Sequence, residues 1–354
     1  MPPILLHYYI THRCNCRCSF CDIWKISAKK GDDAQLQDVL RNLRHARQLG
    51  VRFVDFTGGE PLLHDDLPQM LEEAKRIGLR TTVTSNGLLY PKSALELKGR
   101  VDLLHFSLDA LDPQKHDAIR GRQTFTSVMK SIDLARKLDE TPDLLFTVNE
   151  DNLSEIKPLS EFARALGLML IVNPVFSYAG FSAPEIKVLE VLDRYRATPF
   201  VYVNSAFHRL RRRGGNDIRA PRCRVVDSTI VISPDDKIIL PCWHFQQKGI
   251  NVGSLQEDTR ERGNRLEQIR QSRQWRYFQR RQGRFEFCQG CHLNCYFDPS
   301  FLYRMDDYFW TSLLAKSRYW WHKNILRRLA THKTDKRPAM TVAQEIVRKH
   351  DPAH

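Results

Sequence analysis

The stretch RCNCRCSFCDIW (residues 13–24) sets Cys14, Cys16, Cys18 and Cys21 within eight positions, directly behind the apolar run ILLHYYI (4–10). Cys14, Cys18 and Cys21 follow the spacing C-x3-C-x2-C. Three thiolates on one short loop reach three corners of a cubane iron–sulfur cluster and leave its fourth iron without a protein ligand. Such an open position is what a reaction needs if a reducing cluster is to pass one electron into a bound molecule. The competing reading is a structural zinc loop, which normally supplies four ligands in two C-x2–4-C pairs. Cys16 reads as a spare thiol, with an alternative ligand as the other reading.

Working outward, strand-like runs recur at 4–10, 52–56 (RFVDF), 80–85 (RTTVTS), 102–108 (DLLHFSL), 143–148 (DLLFTV) and 168–175 (LMLIVNPV). Helical patterns lie between them. Leu36, Val39, Leu40, Leu43 and Ala46 repeat at helical spacing before Gly50, and LPQMLEEAKRIG closes in the same way on Gly78. Regular alternation of strand and helix predicts a parallel sheet with right-handed crossovers. About six units fall short of an eight-stranded barrel, so the expected fold is α/β, a partial (βα)6 barrel. Ligands in such folds sit at the carboxyl ends of the strands. The unusual residues collect there: the cysteine loop, then TGGEP (57–61), SNG (85–87), SLDALD (107–112), NED (149–151) and NP (173–174).

The bulk numbers are compatible with a globular enzyme. The chain has 354 residues, 42% hydrophobic and 27% charged, enough for one large domain and a smaller one. No run approaches the roughly eighteen apolar residues of a spanning helix, and the N-terminal run lacks a basic flank and a cleavage site. A cytoplasmic protein is expected. Nine cysteines, an odd number without a secretion signal, argue against a disulfide framework. The net charge of +14 favours anionic substrates, lipid or nucleic acid as partners.

With TGGEP downstream of the cysteine motif, the chain resembles the radical SAM superfamily, in particular members with a C-terminal auxiliary-cluster module of the SPASM or twitch type. The resemblance implies that Cys14, Cys18 and Cys21 hold a [4Fe–4S] cluster whose open iron binds S-adenosylmethionine (AdoMet). It implies reductive cleavage of AdoMet to a 5′-deoxyadenosyl radical that takes a hydrogen atom from the substrate, with a flavodoxin or ferredoxin as electron donor. By the same resemblance Phe20 lies against the adenine. Gly58, Gly59 and Glu60 meet the amino group of the methionine moiety, and the glycines permit close backbone approach. Ser107 and Asp109 contact the ribose or the methionine end, and Ser85 and Asn86 occupy a similar place. Arg120, in HDAIRG, serves as a fork donor to the carboxylate. The bland alternative for these polar residues is helix capping.

A second set, Cys223-x18-Cys242-x45-Cys288-x2-Cys291, is similar to the twitch module and implies one auxiliary [4Fe–4S] cluster; Cys295 is a rival to Cys291, and a zinc ion held by the same thiolates is the alternative. The expected organisation is a partial barrel over 1–180, a basic connector over 181–222, a small α+β cluster-binding module over 223–300 and a basic, aromatic helical tail over 301–354. The extreme C-terminus reads as partly disordered. Aromatic and basic residues alternate in the tail, which suits peripheral contact with an anionic membrane; packing on the barrel is the other reading. No nucleic-acid-binding module is legible. The expected function is hydrogen abstraction from a small amphipathic or anionic substrate (a lipid, isoprenoid, tetrapyrrole or sugar-derived molecule), with net oxidation or bond formation assisted by the auxiliary cluster. A peptide maturase and a non-catalytic iron–sulfur carrier or sensor are the alternatives.

Overall fold

Alternate residues of each early strand face opposite sides, and on one side they are uniformly large and apolar. Leu6, Tyr8, Ile10, Val54, Phe56, Val83, Phe106, Phe146 and Val172 are fully buried there. Full burial of such a side chain contributes on the order of 1.5–3 kcal/mol, so this face must be covered by helices. The computed structural model describes residues 1–175, 186–243, 251–254, 264–330 and 334–350. Strands β1 (Leu5–Thr11), β2 (Phe53–Gly58), β3 (Arg80–Ser85), β4 (Leu103–Ser107), β5 (Asp143–Val148) and β6 (Leu170–Pro174) lie parallel in chain order. Between them run α1 (Leu36–Gln48), α2 (Leu67–Arg76), α3 (Tyr90–Leu97), α4 (Pro113–Arg120), α5 (Phe125–Lys137) and α6 (Ile156–Leu166). The α/β partial barrel expected from the alternation is the fold observed.

The structure extends that sheet at both edges. Residues 186–212 of the expected connector are α7 (Ile186–Arg194), β7 (Val201–Val203) and α8 (Ser205–Arg212), and β7 pairs parallel with β6. Arg211 of the basic run is buried rather than solvated, and its guanidinium donates to the Pro174 and Val175 carbonyls at the end of β6. At the other edge β8 (Thr229–Ile232) pairs parallel with β1, followed by antiparallel β9 (Lys237–Ile239) and β10 (Asn251–Ser254). The cysteine module thus continues the barrel's own sheet. Asn42 of α1 fastens it, donating to Tyr8 Oη at 2.9 Å and to Asp236 Oδ1 of the β8–β9 turn at 2.7 Å. Residues 181–185 lie outside the described residues.

The tail is a helix, Asp307–Trp321, that packs on the barrel through Tyr308, Ser312 and Ala315. Its far end is pinned to the start of β5: Lys323 Nζ and Tyr319 Oη each donate to the Asp143 carboxylate at 2.6 Å. Asp143 is buried, and the Lys323 ammonium beside it holds its carboxyl below the usual range against the opposing effect of burial. The outer face leaves Trp310, Leu313, Leu314, Trp320 and Trp321 exposed. No helix among the described residues is long and apolar enough to cross a membrane. Residues Ala339–His350 form a helix that buries Ala339, Val342, Ala343 and Ile346; the extreme C-terminus, residues 351–354, lies outside the described residues.

Removing one partner of a buried ion pair leaves an uncompensated charge, which costs about 3–5 kcal/mol. Asp143→Ala should therefore destabilise the protein by about 3 kcal/mol in urea unfolding and open the tail to trypsin. An unchanged midpoint with a protected tail would show that the pairing does not anchor it.

Candidate active site

The cysteine loop is clamped from two sides by backbone hydrogen bonds. On the β2 side, Gly59 N–H donates to the Thr11 carbonyl at 2.9 Å and Glu60 N–H to the Arg13 carbonyl at 2.8 Å. On the α4 side, Arg17 N–H donates to the Arg120 carbonyl and Ser19 N–H to the Ile119 carbonyl, both at 3.0 Å. The Arg122 guanidinium holds the Asn15 carbonyl, and Trp24 Nε1 the Cys18 carbonyl. This closeness requires glycine. A Cβ on Gly58 would overlap the Thr11 carbonyl oxygen, one on Gly59 the Arg13 carbonyl oxygen, and Gly58 adopts φ +139°.

Within the clamped loop Cys18 is buried and Cys14 and Cys21 half-buried. Burial pushes the Cys14 thiol up to about 11 and the Cys21 thiol upward as well, and each thiol feels the others. Cys16 is fully buried beside Cys14 and Cys18, and burial pushes its thiol up to about 12. Thiols held neutral by burial become ligands only when a metal displaces their protons.

The polar candidates behind the loop divide by what they touch. Glu60 is 1% exposed. Its carboxylate accepts from Asn86 N–H at 2.8 Å and from Leu62 N–H at 3.2 Å, joining the ends of β2 and β3. Burial pushes its carboxyl up to about 7, against the pull of the Asn86 and Ser85 hydrogen bonds. Two of its acceptor sites are thereby taken by protein N–H groups, and the backbone of 58–60 meets the loop. Ser85 Oγ accepts from Gly87 N–H, and Asn86 Nδ2 donates to Asn15 Oδ1 at 2.6 Å. Ser107 is buried at the end of β4.

Arg120 and Asp109 are committed to each other, 2.5 Å apart and both buried. Asp109 also accepts from Thr147 N–H on β5. A buried carboxylate without a cation is costly, and Arg120 supplies that cation. Arg120 keeps two further aspects. Its Nη1 lies 3.7 Å from Cys18 Sγ, and its guanidinium covers the Phe20 ring at 5.4 Å. Its Nε is buried with no hydrogen-bond partner. An orphaned donor beside the cysteine loop fits a bound anion, so the residues present fit a cluster-bound carboxylate ligand.

The second cysteine set converges. Cys223, Cys242, Cys288 and Cys291 line one cavity with Asn216, Gly283, Pro241, Leu293, Tyr296 and Phe297. Gly283 holds φ +72°, and a Cβ there would press on Pro221 and on Cys223 Cβ. Burial pushes the Cys288 thiol up to about 12 and Cys223 and Cys291 up as well, and these thiols act on one another and on Cys242. Cys295 stands outside that cavity. Burial pushes its thiol up to about 12, and it sits within electrostatic reach of Cys242 and Asp55, on the barrel side. This favours Cys291 over Cys295 as the fourth member of the set. No group of three or more His, Cys, Asp or Glu side chains among the described residues is arranged to hold a single metal ion.

Sequence reasoning missed the contacts between the two cysteine sites. Trp243, next to Cys242, stacks on Tyr9 of β1 at 4.1 Å. His7 Nδ1 bonds Asp55 Oδ2 at 2.9 Å and its ring meets Tyr296 edge-on. His7 and Asp55 alternate with apolar neighbours on the inward side of β1 and β2, and that period-two pattern is the signal that marks them.

Comparison with known proteins agrees with this geometry. Residues 8–163 match the Radical SAM superfamily. Over 166 residues the chain is 30% identical to a probable GTP 3',8-cyclase of Methanococcus maripaludis, covering 46% of this chain and 56% of that relative. It is 32% identical over 168 residues to a probable GTP 3',8-cyclase of Saccharolobus islandicus, covering 46% and 54%. The chain spans about half the length of these relatives. Among solved structures, anSMEcpe with bound AdoMet superposes with a TM-score of 0.62 at 15% identity, covering 98% of this chain and 99% of that one. Streptococcus suis SuiB bound to its precursor peptide SuiA gives 0.62 at 17% identity, covering 86% and 74%. At such identities the likeness is one of fold.

Glu60 takes up its proton near pH 7 in the folded protein but near about 4.3 when unfolded. Between these values the folded state holds a proton the unfolded chain lacks, so its stability contribution is lost as pH rises, and the loss is complete above about 7. Glu60→Gln lacks this titration and loses one acceptor, an offset of about 1–3 kcal/mol. The Tm of Glu60→Gln relative to wild type should rise from about pH 5 to about 7 and then level. A pH-independent difference would contradict the raised carboxyl.

Proposed function

Residues 8–163 belong to the Radical SAM superfamily, and on that premise we propose that the protein is an enzyme that cleaves AdoMet reductively and abstracts hydrogen from a small amphipathic or anionic substrate. The observation that carries the reading is the cysteine loop itself: three thiol ligands fixed between Gly59–Glu60 and the end of α4, with the buried, unbonded Nε of Arg120 beside Cys18. Cys14, Cys18 and Cys21 would hold the cluster. When bound, the cluster and AdoMet together supply one electron and a hydrogen-abstracting group.

The chain's own residues perform the rest. The Gly58–Gly59 backbone leaves room at the loop for the methionine end of AdoMet. Arg120 offers a positive charge to that end and to the cluster's thiolates, and Asp109 keeps the guanidinium oriented. Phe20, stacked under Arg120, provides an apolar face for a base. Relatives named as GTP 3',8-cyclases support an anionic small molecule as substrate class. The net charge of +14 is in keeping with that.

Cys223, Cys242, Cys288 and Cys291 would hold an auxiliary [4Fe–4S] cluster. Their convergence on one cavity supports a shared four-thiolate site, with a zinc ion held by the same thiolates as the alternative. Four protein ligands leave no iron open, so its role is to accept or relay an electron, which suits a net oxidation or a bond formation that releases one. A flavodoxin or ferredoxin fits as the reductant.

Anaerobically reconstituted protein with dithionite and AdoMet should release 5′-deoxyadenosine and contain about eight irons per chain, four per cubane. Cys18→Ala should abolish release, whereas Cys242→Ala should retain it with about four irons. No release from fully loaded protein would make it a carrier or sensor, and about four irons in wild type would remove the second cluster.

A further inference from the structure

At the N-terminal ends of the strands, opposite the cysteine loop, a cavity of about 690 Å³ is lined by Leu5, Phe53, Leu103, Ile171 and Tyr202 and roofed by Trp320 of the tail helix. That volume lies within the ~300–1,000 Å³ usual for small-molecule sites. Leu5 on β1 and Tyr202 on β7, the first and last of the seven consecutive parallel strands, line it together, so the cavity is the lower mouth of the barrel lumen.

Alternate residues of a strand share a face, so the lumen can be followed upward from this mouth. On β1 it reads Leu5, His7, Tyr9; on β2 Phe53, Asp55, Thr57; on β4 Leu103, His105, Ser107; on β6 Ile171, Asn173. These four strands change from apolar at the mouth to polar above it, while β3 is polar at both levels with Thr82 and Thr84, and His105 reaches the cavity wall and lies 3.5 Å from the Asp143 carboxylate. The polar layer is ordered by its own bonds: His7 Nδ1 to Asp55 Oδ2 at 2.9 Å, Thr84 Oγ1 to His105 Nδ1 at 3.2 Å, and Asn294 Nδ2 donating to Asn173 Oδ1 at 3.1 Å. Helix packing explains the opposite face of these strands and has no bearing on this gradient. The charges near the mouth are neutralised in pairs, Lys323 with Asp143 at 2.6 Å and Lys316 with Asp298 at 2.5 Å. The mouth is therefore greasy and carries no free charge in these pairs, and the exposed Trp320 and Trp321 continue it onto the surface.

We propose that the lumen binds an amphipathic ligand lengthwise, with a hydrocarbon chain in the cavity beneath the tail helix and a polar end at the layer formed by His7, Asp55 and His105. This rests on the preceding reading in one respect: the polar end, nearer the cysteine loop, is the end that reacts. The substrate class is thereby narrowed to molecules carrying an alkyl or isoprenoid chain.

Straight-chain 1-alkanols from butanol to decanol, titrated calorimetrically into iron-loaded protein, test the site without using its net charge. Affinity should rise about fourfold per added methylene until the cavity is filled. Ile171→Trp, which occupies the lining, and Ser317→Trp, at the exposed rim where folding is not at risk, should both flatten the dependence. A flat dependence in wild type, or a slope unchanged in both variants, overturns the proposal. 5′-Deoxyadenosine release by the same preparations separates the two readings. Release without chain-length-dependent binding sinks this site alone; chain-length-dependent binding without release supports the site and sinks the radical chemistry.

Discussion

The structure depends on a backbone clamp. A loop carrying three cysteines at C-x3-C-x2-C spacing has no hydrophobic reason to hold one shape. What holds it is a set of hydrogen bonds from Gly59 and Glu60 on one side and to the Ile119 and Arg120 carbonyls on the other. These fix the loop to the ends of β2 and α4, which are themselves fixed by the buried apolar face of the sheet. Glycine at 58 and 59 follows from the clamp, because any side chain would strike the loop's carbonyls. Such preorganisation suits a cofactor that must keep one coordination position open, since a looser loop would let a fourth protein group close it.

A second consequence is electrostatic. Arg120 is buried at the junction of loop, Phe20 and Asp109, and its Nη1 lies 3.7 Å from Cys18 Sγ. Burying Asp109 opposite it removes the penalty of an isolated charge and keeps the guanidinium aimed at the loop. The two cysteine sites are joined through the barrel by Tyr9 stacked on Trp243 and by His7 against Tyr296. Because β8 is hydrogen-bonded to β1, the module that carries the second set cannot shift without bending the strand that presents the first.

Much of this was legible in the sequence for local reasons. Cysteine spacing, the glycine pair and the strand–helix alternation are short-range patterns, and each stands where it was read. What the sequence concealed is long-range. Strand β7 is three residues long, too short for periodicity to register, and it exists because β6 offers it an edge. The pairing of β8 with β1 joins residues more than two hundred positions apart. The bond from the Asn86 amide to Glu60 and the pairing of Asp109 with Arg120 join different elements, which no local pattern shows. The choice between Cys291 and Cys295 turns on which thiol lines the cavity, and no spacing rule carries that. The tail's aromatic residues suggested a membrane surface, but Lys316, Ser317, Tyr319 and Trp320 of that helix line the barrel mouth.

The central claim is that the front cluster has an iron open to AdoMet. Electron paramagnetic resonance of the anaerobically reduced, fully loaded protein, recorded with and without AdoMet, addresses it directly. The account predicts that one cluster signal changes its g values and line shape on addition while the signal of the auxiliary cluster stays as it was. Spectra unaltered by saturating AdoMet would contradict it.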